Sequence, residues 1–125
     1  MPRDDGTRRV LLVEDDSLVA MLVEDMLDEL GYAFAGNLGT VAEALTAVKA
    51  GDYDVAILDV NLAGERVFPV ADALLGAGRS FIFATGYGPA EIPDAYRRWP
   101  VAAKPFRLDD LETALEAALA LSAGV

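Results

Sequence analysis

Five side chains suited to phosphoryl chemistry stand at the ends of apolar segments spread along the chain. Glu14 and Asp15 follow the run Val10 to Val13, and Asp59 ends Val55-Ala56-Ile57-Leu58. Thr85 ends Phe81-Ile82-Phe83-Ala84, and Lys104 follows Val101-Ala102-Ala103. A buried carboxylate is costly without a partner. Carboxylates gathered in one place call for a cation, and an oxygen-only donor set favours a hard one such as magnesium. With that charge offset, one carboxylate can act as a nucleophile and carry a phosphoryl group as an aspartyl phosphate. A hydroxyl such as Thr85 can hydrogen-bond one phosphoryl oxygen. An ammonium such as Lys104 offers a compact charge to another. Taken singly, each residue has a plainer use: Asp16 beside the acidic pair suits a helix cap, strand-end Asp and Thr-Gly pairs serve turns, and a lysine before proline is usually solvated. The ordered set is what points to chemistry.

The elements that must position this set follow from hydrophobic patterning. Strands are expected at Arg8 to Val13, Ala33 to Asn37, Tyr53 to Leu58, Phe81 to Ala84 and Val101 to Ala103. Asp16 or Ser17 can cap a helix to about Leu30, with Leu18, Leu22, Met26 and Leu30 on one stripe, joined by Val19, Val23 and Leu27. Gly31 stops it. Thr40 and Glu43 have capping-box spacing for a helix to about Ala50. A third helix is expected from Val67 to Leu75, and a last one from Leu108 to Leu121 with Asp109 and Asp110 at its positive end. Between Gly86 and Pro100 the rhythm breaks: Gly86, Gly88, Pro89, Pro93 and Pro100 leave room for a short helix only, about Pro93 to Arg98. Five βα repeats imply a doubly wound parallel sheet of five strands, with ligands bound at the strands' carboxyl ends.

Composition narrows the function. At 125 residues and 54% hydrophobic content, one domain with one core is expected. Residues 1–8 read as a flexible lead-in and 9–122 as the domain, with no linker or output domain after it. The net charge of −11 argues against a nucleic-acid face. The absence of cysteine and histidine excludes disulfides, thiolate sites and His-based acid–base catalysis. No apolar stretch reaches the ~20 residues of a membrane span, and no signal-peptide core is present, so a cytoplasmic location is expected.

The segments Val10-Leu-Leu-Val-Glu-Asp-Asp16, Ile57-Leu-Asp-Val-Asn61, Phe83-Ala-Thr-Gly-Tyr87 and Ala103-Lys-Pro-Phe106 resemble those of response-regulator receiver domains, the phosphoacceptors of two-component signalling. The resemblance spans Arg9 to Leu121. It implies the CheY-like, flavodoxin-like (βα)5 fold with strand order 2-1-3-4-5. It also implies phosphorylation on Asp59 and magnesium held by Glu14, Asp15, Asp59 and the backbone carbonyl of Asn61. Thr85 becomes the switch hydroxyl, Lys104 the family's lysine, and the Lys104–Pro105 peptide cis. A histidine kinase or phosphotransfer protein would supply the phosphoryl group, and self-phosphorylation from such a donor would be the only chemistry; the protein is not expected to be an enzyme.

Two departures narrow the resemblance. Leu62-Ala63-Gly64-Glu65 stands where relatives carry a Met-Pro pair and a later glycine. Val101 stands three residues before the lysine, where relatives carry the Tyr or Phe that swings inward on activation. Together with the proline-broken fourth helix region, Phe83-Ala-Thr-Gly-Tyr87 is similar to the single-domain "FAT GUY" receivers, associated with HWE or HisKA2-type kinases. Tyr87 is then the aromatic available for the role left open by Val101.

Three rivals share parts of this pattern. One is a phosphorylation-independent adaptor with a receiver fold. Another is a haloacid-dehalogenase-like phosphatase, but there the nucleophile precedes the acidic pair and a second Asp follows two residues later, where this chain has Asn61. A flavin-binding flavodoxin would need a phosphate-cradling loop after the first strand, which is missing.

Overall fold

The computed structural model describes residues 7–123. Five parallel strands form its sheet: β1 (Arg9–Val13), β2 (Ala33–Leu38), β3 (Val55–Asp59), β6 (Ser80–Thr85) and β7 (Val101–Ala103). Their order, β2-β1-β3-β6-β7, is the 2-1-3-4-5 arrangement. The two-residue strands β4 (Asn61–Leu62) and β5 (Glu65–Arg66) form a separate hairpin. Side chains alternate along each central strand. Leu11, Val13, Ala56, Leu58, Phe81 and Phe83 face α2 (Val41–Ala50) and α3 (Phe68–Gly76). Val10, Leu12, Val55, Ile57, Ile82 and Ala84 face α1 (Ser17–Leu30) and α4 (Leu108–Ala123). Covering both faces is why β3 and β6 are buried throughout and lack polar alternation.

Local signals place the helix ends. Asp16 accepts hydrogen bonds from the Leu18 and Val19 amides, and Gly31 closes α1 in the left-handed region at φ 87°. Thr40 accepts from Glu43 N at 3.1 Å, while the Glu43 carboxylate reaches back to Gly39 N at 3.3 Å.

Two expectations need correction. The apolar stripe of α1 does not point inward as a whole. Its buried residues are Ala20, Val23 and Leu27, while Leu18 is 75% exposed and Met21 and Leu22 are also exposed. The stripe is wider than the surface available to it: small Ala20 seats the helix on the sheet, and Leu18, in the first turn, is left largely uncovered by the described residues. Secondly, the short helix expected at about Pro93 to Arg98 is not an α-helix, so the fourth βα unit has none between β6 and β7. Two 3₁₀ turns, Pro89–Glu91 and Asp94–Tyr96, stand there instead. The glycines and prolines deny this segment a helical ladder, so aromatic packing fastens it. Trp99 stacks on Phe81 at 4.3 Å, and Tyr96 stacks on Phe68 at 5.2 Å. The Tyr96 hydroxyl donates to Asp72 at 2.6 Å. That bond, with burial and the Asp72 charge, pushes the phenol up to about 12, so it remains a donor.

The β4–β5 hairpin turns on Ala63 and Gly64 with φ of 51° and 84°. Positive φ at both central residues is the mark of a type I′ turn, which favours Asn-Gly; alanine is strained there. Ala63→Asn should therefore stabilise the fold by about 0.5–1 kcal/mol, read from urea unfolding midpoints. An unchanged or lower midpoint would show that the turn tolerates alanine without strain.

Candidate functional site

The carboxyl end of the sheet collects the predicted residues. Glu14 follows β1, and its backbone is held by β2: its amide donates to the Leu38 carbonyl at 3.0 Å, and its carbonyl accepts from Asn37 Nδ2 at 3.1 Å. Asp59 is the last residue of β3, paired with Ala84 of β6. Thr85 ends β6, and its carbonyl accepts from Lys104 N at 3.0 Å, so the lysine's backbone is tied to the strand end. The Lys104–Pro105 peptide is cis, as the resemblance implies. Order β2-β1-β3 makes β1 and β3 neighbours at the switch in strand direction of travel, where such sheets form their crevice.

Glu14, Asp15 and Asp59 each offer a carboxylate oxygen within 4.8 Å of the others. Glu14 and Asp59 are buried, and Asp15 is exposed. Asp15 is steadied by the Ala63 amide at 3.0 Å, so the strained hairpin supports the acidic cluster. Lys104 Nζ lies 3.0 Å from Glu14 Oε1 and 3.5 Å from Asp59 Oδ2. Asp59, Asn61, Thr85, Gly86, Tyr87 and Lys104 line one open pocket of about 430 Å³. Tyr87 is 81% exposed at its rim, and Val101 is half-buried in β7.

The electrostatics follow from crowding. Burial, then the charge of Glu14, push Asp59 from 3.8 up to about 7; Lys104 opposes this without cancelling it. Burial alone would lower Lys104, but its hydrogen bond to Glu14 and the charge of Asp59 hold it above its ordinary value. Three carboxylates facing one ammonium leave negative charge uncompensated. An all-oxygen donor set of this kind fits a hard divalent cation.

One participant escaped the sequence reading. Glu91, at the end of the first 3₁₀ turn, accepts a hydrogen bond from the Thr85 hydroxyl through Oε1. Its Oε2 accepts from Asn61 Nδ2 at 2.9 Å and from Arg66 Nη1 at 2.8 Å. The Thr85 bond holds the Glu91 carboxyl below its usual range, with Asn61 and Arg66 assisting and burial opposing. Its only local signal was being the one charge in the Gly- and Pro-rich stretch from Gly86 to Ile92.

The chain is similar to several known proteins. The family described as response regulator receiver domain matches residues 10–75. The transcriptional regulatory protein PdtaR of Mycobacterium tuberculosis is 28% identical over 90% of this chain and 57% of its own length. The cell cycle response regulator CtrA of Brucella ovis is 33% identical over 93% of this chain and 52% of its own. The chain thus spans about half the length of these curated relatives. The solution structure of SdrG from Sphingomonas melonis Fr1 superposes with a TM-score of 0.81 at 44% identity, covering 90% of this chain and 97% of that one.

The raised Asp59 value has a sign that can be tested. Between 3.8 and about 7 the folded state keeps a proton that the unfolded state has lost, so ionising Asp59 removes stability as pH rises through that window. In chelator, Asp59→Asn should be more stable than the parent chain, and the gap should widen by about 1–3 kcal/mol between pH 5 and pH 8. A gap that stays constant in urea unfolding at the two pH values would contradict this.

Proposed function

This chain belongs to the response regulator receiver family, and we propose that within it the protein accepts a phosphoryl group on Asp59 from a histidine kinase or phosphotransfer protein and signals through protein contacts. The observation that carries the reading is the convergence of Glu14, Asp15, Asp59, Thr85 and Lys104 on one crevice. Receiver domains generally bind magnesium, and here Glu14, Asp15 and Asp59, with the Asn61 carbonyl, would hold it. When bound, the ion neutralises charge as the phosphoryl group approaches.

The chain's own groups do the rest. The Asp59 carboxylate attacks phosphorus, the bond to the donor imidazole breaks, and the phosphoryl group is left on Asp59. Lys104, already 3.5 Å from Asp59, lies within reach of one phosphoryl oxygen. Thr85 can turn its hydroxyl to another. No general base is required, in keeping with a chain without histidine. On this reading the protein is a substrate of the phosphotransfer, with no other catalytic activity. Among the described residues no helix is long and apolar enough to cross a membrane.

The partner surface adjoins the crevice. Leu18, Met21 and Leu22 lie exposed on α1, whose first turn starts directly after Asp15 and Asp16. An apolar patch on the helix that follows the acidic pair suits a docked helical phosphodonor. The resemblance points to HWE or HisKA2-type kinases. The likeness to SdrG, matched over 97% of its chain, supports signalling by the receiver's own surface.

Acid-labile label from acetyl phosphate and magnesium should appear on the parent chain and vanish in Asp59→Asn. Retained labelling in that variant would overturn the site, and no labelling of the parent would favour a phosphorylation-independent adaptor. Met21→Glu should slow transfer from a cognate kinase at least tenfold while leaving acetyl phosphate labelling within about twofold; equal losses with both donors would exclude α1 as the docking surface.

A further inference from the structure

We propose that Glu91 is a clamp on Thr85 that a phosphoryl group on Asp59 has to displace. The inference rests on the phosphoacceptor reading and adds a residue to it. A threonine hydroxyl carries one proton. In this structure Thr85 gives that proton to Glu91 Oε1, while its oxygen accepts from Tyr87 N at 3.0 Å. Thr85 is 2% exposed, so water offers it no easy alternative. A hydroxyl in this state has nothing left to donate to a phosphoryl oxygen. Its partner is also an ionised acceptor, the stronger kind of hydrogen-bond partner.

The clamp is built from three segments. Glu91 comes from the 3₁₀ turn after β6, Arg66 from the hairpin after Asp59, and Asn61 from the start of that hairpin. The Glu91 side chain is only 12% exposed, and both its oxygens are engaged. When Thr85 turns to a phosphoryl oxygen, Glu91 loses the partner on Oε1 but keeps Arg66 and Asn61 on Oε2. The turn Pro89–Glu91 is thereby freed from the end of β6 while it stays attached to the hairpin. Tyr87, exposed two residues from Thr85, rides on the segment that is released. With Val101 in place of a buried aromatic, this exchange is a route by which phosphorylation reaches the surface.

The test is titration of the full chain with beryllofluoride and magnesium, a phosphoryl mimic, followed by calorimetry and by amide NMR of residues 85–92. Glu91→Ala should bind the mimic about three- to tenfold more tightly than the parent chain, and Glu91→Gln, which keeps the shape without the charge, about two- to threefold. In a Thr85→Ala background the Glu91→Ala gain should shrink below twofold, because the two residues act as one pair. Affinity that is unchanged or weaker in both Glu91 variants, with the parent still binding, overturns the clamp and leaves the phosphoacceptor reading standing. A gain that persists without Thr85 overturns it as well. A parent chain that fails to bind the mimic removes the phosphoacceptor reading and the clamp together. Should Glu91→Ala not fold, the Glu91→Gln comparison decides.

Discussion

Three carboxylates and one ammonium share a single crevice at the end of the sheet, with Glu14 and Asp59 buried and Asp15 exposed, and most of the molecule serves to hold them there. Burial, joined by the charge of Glu14, pushes Asp59 up to about 7, even with Lys104 at 3.5 Å. A protein selected for stability alone would place leucine at such a position. Keeping the charges requires a scaffold that cannot relax to separate them. A parallel sheet buried on both faces provides it, because each strand end is fixed by hydrogen bonds to its neighbours and by apolar packing above and below.

The molecule is divided accordingly. Below the crevice, β1, β3 and β6 are almost wholly buried. Around it, the chain is irregular: the Ala63–Gly64 turn, the 3₁₀ turns and the cis Lys104–Pro105 peptide all lie at this end. Backbones of Thr85 and Lys104 are tied to each other, yet their side chains have alternative partners. That combination suits a device in which positions stay constant and hydrogen bonds are exchanged. The aromatic stack of Phe81, Trp99, Phe68 and Tyr96 stops the irregular segment from coming away from the sheet.

Particular residues show how much could be read in advance. Val55 to Leu58 followed by Asp59 was legible because a doubly buried strand has a distinctive apolar run and a charge at its end is anomalous. Thr40 with Glu43 and Asp16 before α1 were legible because capping depends on neighbours three residues away. The inward face of α1 was not, since Leu18, Leu22, Ala20 and Val23 compete for burial and only the shape of the sheet and α4 decides among them. Glu91 was not, because its partners Arg66 and Asn61 are 25 and 30 residues away in sequence.

By itself, then, the sequence determined the five-stranded architecture, the strand-end residues and the kind of chemistry they suit. Periodicity, capping and turn residues are short-range properties, and the ordered motif residues fall where those properties end strands. Tertiary structure alone decided the packed face of α1 and the capture of Thr85 by Glu91. Each of these is a competition among several locally acceptable options. Its outcome depends on shape, burial and charge contributed by segments far apart in the chain, which no local pattern records.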